Sequence, residues 1–349
     1  MNAPTTPAKL TPKDFATDQE VRWCPGCGDY AILKSVQKVL ADLKADKDKT
    51  VFVSGIGCSS RFPYYMDTYG FHTIHGRAPA VATGVKMANP ELDVWIVTGD
   101  GDGLSIGGNH LLHIIRRNVD TQILLFNNEI YGLTKGQASP TSAIGTKSSS
   151  TPEGSVDAPL DPIKIAMGAG ARFVARTADK WIKEMPDVLK AAREHRGCAF
   201  VEILQNCIVY NDAVFGGFTG KEAVPGTFIH VEHGKPLLFG GGKNEPPVKG
   251  IRVKPGTFKL EVVTLGENGI TEADVLVHDK TDAVLAGLLA AMTGPDFPVA
   301  FGVLYEDAAP VHDDSITAHK AEARKKTPDV SINALLKRGR TWMVEGPGA

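Results

Sequence analysis

Two apolar, β-prone runs, each stopping at a hard oxygen ligand, constrain this chain most. Residues 94–98 run into Gly99-Asp100-Gly101, and residues 122–126 run into Asn127-Asn128, with a helix-like stretch between them. In a parallel sheet, two such strand ends lie side by side at the carboxyl edge, where ligands bind. Asp100 and the Asn128 amide oxygen can there share one Mg²⁺, a cation that takes few protein oxygens and leaves places for phosphate. The glycines let main-chain N–H groups approach a diphosphate, and the helix after the first strand aims its N-terminus at the same place.

The surrounding text carries the same alternation. Residues 30–43 place apolar side chains at Ile32, Leu33, Val36, Val39, Leu40 and Leu43, a helical period. Residues 50–54 form a short β-prone run that ends in Gly55-Ile56-Gly57-Cys58-Ser59. Helices are expected over 78–88, 105–117 and 181–194, and strands over 172–176 and 199–204. Alternation of this kind predicts an α/β fold, a doubly wound and mostly parallel sheet with helices on both faces. The Ser/Thr/Pro/Gly-rich segment 138–160 directly follows the candidate metal ligands, which favours an ordered active-site loop. Three regions result: a Pro/Thr-rich arm over 1–20, the α/β domain over 21–215, and a C-terminal accessory extension over 216–349. In the last, 254–266 alternates like a hairpin, 281–292 reads as a helix and 315–326 as charged and loose. No internal repeat is visible.

Composition narrows the function classes. A formal charge of −2 provides no basic field for nucleic acid. No apolar run reaches the ~18 residues of a membrane span, and the N-terminal segment lacks the apolar stretch of a secretory signal. A cytoplasmic protein is expected. Five cysteines in such a chain argue against a disulfide framework and for metal or redox use.

Cys24-Pro25-Gly26-Cys27 is a tight C-x₂-C knuckle whose turn points both thiols one way. Cys58 follows the strand at 50–54 and Cys207 follows that at 199–204. If both lie at the carboxyl edge, all four converge near the diphosphate site. Cys198 sits in an apolar run and reads as a small buried hydrophobe. Spacing alone leaves a structural zinc, a redox dithiol and an iron–sulfur cluster open, although ligands 31 and 149 residues further on are wide for a compact zinc knuckle.

The GDG…NN pattern resembles the thiamin diphosphate signature. The family spacing of 28 residues between Asp100 and Asn128 is met. That resemblance implies Mg²⁺ ligation by Asp100, Asn128 and the Ile130 carbonyl, with Asp102 lining the diphosphate pocket. Loss of CO₂ from a 2-oxo acid on this cofactor leaves an electron-rich species, and a four-cysteine cluster in the same chain gives the electrons an exit. Together, WCPGCG, GIGCS, HGRA, GDGD, NNEIYGLTKGQ and the Cys207 segment resemble the β subunit of 2-oxoacid:ferredoxin oxidoreductases over about residues 20–215.

The resemblance implies one [4Fe–4S] cluster on Cys24, Cys27, Cys58 and Cys207. It implies cofactor contacts from Ile56, Gly57, Cys58, Ser59, His75, Gly101, Asp102, Gly132, Leu133 and Thr134. Arg61 and Lys135 match basic positions used for the substrate carboxylate; a solvated surface charge is the plainer alternative for each. The implied reaction is CoA-dependent oxidative decarboxylation of a 2-oxo acid, 2-oxoglutarate being favoured over pyruvate by the HGRA and TKGQ wording. Implied partners are ferredoxin and a large α subunit, in an (αβ)₂ assembly, since the glutamate that activates the cofactor lies on the α subunit. The rivals are a non-redox thiamin diphosphate lyase with structural zinc and a non-catalytic electron-transfer subunit.

Overall fold

The computed structural model describes residues 10–220, 223–241, 248–326, 331–344 and 346. Strands β1 (Thr50–Ser54), β3 (Asp93–Gly99), β4 (Thr121–Asn127), β7 (Phe173–Ala178) and β8 (Cys198–Leu204) carry continuous apolar runs. Of these, β1, β4, β7 and β8 are buried along their whole length. A run with no polar face has to sit inside a sheet covered on both sides, and parallel pairing is how that arises.

The described residues form an eight-stranded sheet in the order β2-β1-β3-β4-β8-β7-β13-β9, where β2 is Tyr69–His72, β9 is Phe228–His230 and β13 is Val299–Glu306. The pairs from β2 through β7 are all parallel. β13 runs antiparallel to β7, and β9 pairs parallel with β13. Side chains alternate between two cores. Val94 and Ile96 point into one, with Ala78 and Ala82 of α2 (Ala78–Ala88) and with Leu111, Ile114 and Ile115 of α4 (Gly108–Arg117). Trp95 and Val97 point into the other, with Ile32, Val36 and Leu40 of α1 (Asp29–Asp42) and Leu189 of α6 (Met185–Glu194). The period of two along each strand thus divides one sheet between two helical layers, the doubly wound α/β arrangement expected.

Several local expectations change. The helix read over 105–117 is α4, which starts at Gly108, and a separate short helix, α3 (Asp100–Leu104), precedes it; between them the chain passes Gly107, which packs on Gly76. Strand β2 went unread since all four of its residues are exposed and leave no alternation. Helix α5 (Pro162–Gly168) also went unread, although Asp161 caps it by accepting from the Lys164 N–H and Pro162 stands at its first turn. The hairpin read over 254–266 supplies one strand only: β12 (Leu260–Thr264) pairs with β11 (Lys249–Val253), and β11 with β10 (Leu238–Phe239).

The segment read as charged and loose is helix α8 (His312–Lys326). Asp313 and Asp314 lie in its first turn and Arg324, Lys325 and Lys326 in its last, charges that suit the helix dipole at both ends. Only Asp313 of it is buried, so it shows no apolar stripe. Residues 216–349 stood outside the α/β domain in the sequence reading, yet β9 and β13 join its sheet and α7 (Ala283–Ala290) packs on the core beside them.

Candidate cofactor and cluster site

Since β1, β3, β4 and β8 run parallel, their carboxyl ends reach one edge, with Ser54 opposite Val97, Gly99 opposite Phe126 and Asn127 opposite Leu204. That edge holds a cavity walled by Ile56, Gly57, Cys58, Ser59, His75, Gly101, Asp102, Gly132, Leu133 and Thr134, the residues expected to contact the cofactor. Asp100, Asn128 and Ile130 line it too.

Asp100 is buried, and its carboxylate accepts hydrogen bonds from Ser139 Oγ at 2.5 Å and Thr141 Oγ1 at 2.6 Å. Burial pushes its pKa up, while those two hydroxyls and main-chain N–H groups pull the other way. An ionised carboxylate without a cation costs several kcal/mol in such a place. A divalent ion between Asp100 and Asn128 would remove that cost, so the donor set fits Mg²⁺. The Asn128 amide is held at both ends: Nδ2 donates to Gln205 Oε1 at 2.8 Å, and Oδ1 accepts from the Ile130 N–H at 3.2 Å. Asn127 does not line that cavity, although its Oδ1 accepts from Thr141 Oγ1 at 3.0 Å. Its Nδ2 donates to Glu202 Oε1 at 2.8 Å, and Glu202 is in turn paired with buried Arg176 at 2.6 Å.

Asp102 lines the cavity, but its charge is already spent. Oδ1 accepts from the N–H groups of Ile56 at 3.1 Å and Gly76 at 2.7 Å, and Oδ2 from Thr98 Oγ1 at 2.7 Å. It ties the GIGCS and HGRA loops to β3.

Cys24, Cys27, Cys58 and Cys207 line a second cavity of about 230 Å³, many times the ~10–15 Å³ of one water-sized sphere. Cys58, Asn128, Gly132 and Leu133 belong to both cavities. Gly132 is the partition: a Cβ there would stand 3.4 Å from Cys207 Sγ and 3.8 Å from Cys58 Sγ. Among the described residues no three His, Cys, Asp or Glu side chains close on a single point as the ligands of one ion must. The four cysteines line one cavity, a donor set that would fit a four-iron cluster with four thiolate ligands.

Burial raises the Cys27 thiol strongly, with the Asp29 carboxylate adding to it. Burial, then Asp29, Cys207 and Cys24, push Cys58 up to about 12. At Cys27 and Cys58 burial favours the neutral thiol, and bound iron would supply the positive charge that favours thiolate. Cys198 lies apart, buried at the start of β8.

Residues 55–203 match the family described as thiamine pyrophosphate enzyme, C-terminal TPP binding domain. The chain is 46% identical over 347 residues, 98% of its length and 91% of the relative's, to 2-oxoglutarate oxidoreductase subunit KorB of Mycobacterium tuberculosis. The chain belongs to the 2-oxoacid:ferredoxin oxidoreductase β-subunit family.

Other members match less of it. The β subunit of 2-oxoacid:ferredoxin oxidoreductase 1 from Aeropyrum pernix is 50% identical over 198 residues, 57% of this chain and 62% of that one. A solved 2-oxoglutarate:ferredoxin oxidoreductase from Magnetococcus marinus, with 2-oxoglutarate, coenzyme A and succinyl-CoA bound, aligns at a TM-score of 0.73 and 32% identity, covering 94% of this chain and 95% of that one.

In this β subunit Arg61 and Lys135 line the cysteine cavity and not the cofactor cavity. Arg61 donates from Nη1 to the Arg22 carbonyl at 3.1 Å. Ser139, Thr141 and Gln205, which hold the candidate ligands, and Glu202, which holds Asn127, were not singled out from sequence. The composition of 138–160 pointed to the loop carrying the first two, but no local pattern marks which hydroxyl meets Asp100. No described helix of the β subunit is long and apolar enough to cross a membrane.

Proposed function

We propose that this β subunit supplies the thiamin diphosphate and [4Fe–4S] half of a CoA-dependent 2-oxoglutarate:ferredoxin oxidoreductase. The net reaction is 2-oxoglutarate, CoA and two oxidised ferredoxins giving succinyl-CoA, CO₂, two reduced ferredoxins and one proton. One observation carries the reading: two cavities share a wall of Cys58, Asn128, Gly132 and Leu133, one suited to a Mg²⁺-diphosphate and one ringed by four cysteines. When bound, thiamin diphosphate would supply the nucleophilic carbon that adds to the 2-oxo group and the electron sink that lets CO₂ leave the substrate.

The chain's own groups do the holding. Asp100, Asn128 and the Ile130 carbonyl would ligate Mg²⁺, and Cys24, Cys27, Cys58 and Cys207 would ligate the cluster. Gly101, Gly132, Leu133 and Thr134 wall the diphosphate, and Ile56, Gly57, Ser59 and His75 border the rest of the cofactor. Asp102 fixes the loops carrying Ile56 and His75. Arg61 and Lys135 stand on the cysteine side of the shared Gly132–Leu133 wall and would act on the substrate carboxylate from there. The described lining of the cofactor cavity contains no glutamate, which supports an α subunit that completes the site, in an (αβ)₂ assembly. The names of the mycobacterial and Magnetococcus proteins support 2-oxoglutarate as substrate.

Anaerobic co-purification with the α subunit, metal and sulfide analysis, and a screen of 2-oxo acids with CoA and a viologen dye test the reading. It requires about four irons and four sulfides per β subunit and the highest kcat/KM for 2-oxoglutarate. One zinc without iron would sink the cluster assignment, and a preference for pyruvate would sink the substrate.

A further inference from the structure

Gln205 follows β8 directly, at the carboxyl edge, and is 2% exposed. Every polar atom of its amide is engaged. Nε2 donates to the Asn206 carbonyl at 2.6 Å and to Cys27 Sγ at 3.3 Å, while Oε1 accepts from Asn128 Nδ2 at 2.8 Å. Its main-chain N–H donates to the Asn127 carbonyl at 2.8 Å, which anchors it to the end of β4. Exchanging the amide's oxygen and nitrogen would set oxygen against sulfur and carbonyl, and NH₂ against NH₂, so the orientation is determined. One planar amide therefore touches a ligand of each cofactor.

We propose that Gln205 is a positioning residue for both groups: it turns Asn128 Oδ1 toward the metal and raises the reduction potential of the cluster through its N–H to Cys27. The inference rests on the cluster reading above. Two general effects carry it. A hydrogen bond to a cluster sulfur stabilises the added electron of the reduced form and so raises the potential. A hydrogen bond that orients a metal ligand is worth roughly 10–100-fold in affinity. Asn128 has one amide plane, and holding its NH₂ on Gln205 leaves Oδ1 as the face offered to the cation. A side chain that merely filled space would serve neither end.

Two substitutions separate the two ends. Gln205→Leu removes the acceptor for Asn128 and the donor to Cys27. Gln205→Glu keeps an acceptor for Asn128 but, ionised at alkaline pH, offers no proton to sulfur and adds negative charge. In the anaerobically purified complex, an EPR-monitored redox titration reads the cluster, and calorimetry with Mg²⁺ and thiamin diphosphate on the cofactor-stripped complex reads the metal site. The expected midpoint is more negative in both variants, and more so in Gln205→Glu. Thiamin diphosphate affinity should fall about 10–100-fold in Gln205→Leu and hold near wild type in Gln205→Glu. An unmoved midpoint in Gln205→Glu overturns the proposal even where Gln205→Leu does not assemble, and so does undiminished affinity in an assembled Gln205→Leu. Iron and sulfide are measured on wild type in parallel. A wild-type complex without iron overturns the cluster reading and this inference together; an iron-loaded wild type with unshifted variants overturns this inference alone.

Discussion

Asp29 shows what the cysteine cavity imposes on a single residue. It is fully buried beside Cys27, its Oδ1 has no hydrogen-bond partner, and burial raises its pKa from 3.8 to about 7. For an acid raised on folding, the folded state binds more protons than the unfolded one between the two values. Stability then falls as pH rises through that window, and the penalty is complete above about 7. Asp29→Asn removes it. Thermal unfolding of the cofactor-depleted complex should show the variant more stable than wild type at pH ~8 and the two nearly alike at pH ~4; equal midpoints at the higher pH would refute the burial argument. The sequence shows an acid two residues after a C-x₂-C cysteine. That the helix turns this acid inward, toward Asp179 and away from water, is settled by how α1 packs.

At the scale of elements, the break between α3 and α4 is where the fold makes room for the cofactor. A Cβ on Gly107 would lie 2.5 Å from the Asp102 carbonyl and 2.9 Å from Gly76 Cα. Both neighbours are backbone, so neither can swing aside. Gly107→Ala should therefore push the HGRA loop away from the Asp102 that holds it, at a cost of roughly 1–3 kcal/mol. Denaturant unfolding and thiamin diphosphate titration should both register the change, and wild-type values in both would show the approach to be loose. Helix α8 teaches the complementary lesson. Its ends carry suitable charges and its ion pairs lie one turn apart, Glu322 with Lys325 and Lys326, but with no buried face it offered no hydrophobic period to read.

For the whole molecule, the question is whether residues 21–215 stand alone. β13 lies against β7 and buries Ala300, Phe301 and Leu304 to 1% exposure or less. Cutting the chain after residue 215 would turn β7 into an open edge and uncover its apolar face. Such an edge invites aggregation. The truncated chain is expected to be insoluble or rapidly degraded in limited proteolysis, where the full chain is resistant; a soluble, protease-resistant 1–215 fragment would show that the later strands are accessory after all.

What the sequence by itself determined is what neighbouring residues encode. Periods of two and about 3.6, glycines at strand ends, and cysteine and amide spacing located the sheet, its carboxyl edge and residues that line two cavities there. What the tertiary structure alone decided is which distant groups meet. Ser139 and Thr141 reach Asp100 across 39 and 41 residues, and Gln205 joins Asn128 to Cys27 across 77 and 178. β13 returns from beyond residue 298 to pair between β7 and β9. The reason is physical: a turn or a strand is specified by contacts within a few residues, but a hydrogen bond between strand ends exists only once the order and register of the strands have brought its two atoms within 3 Å or so.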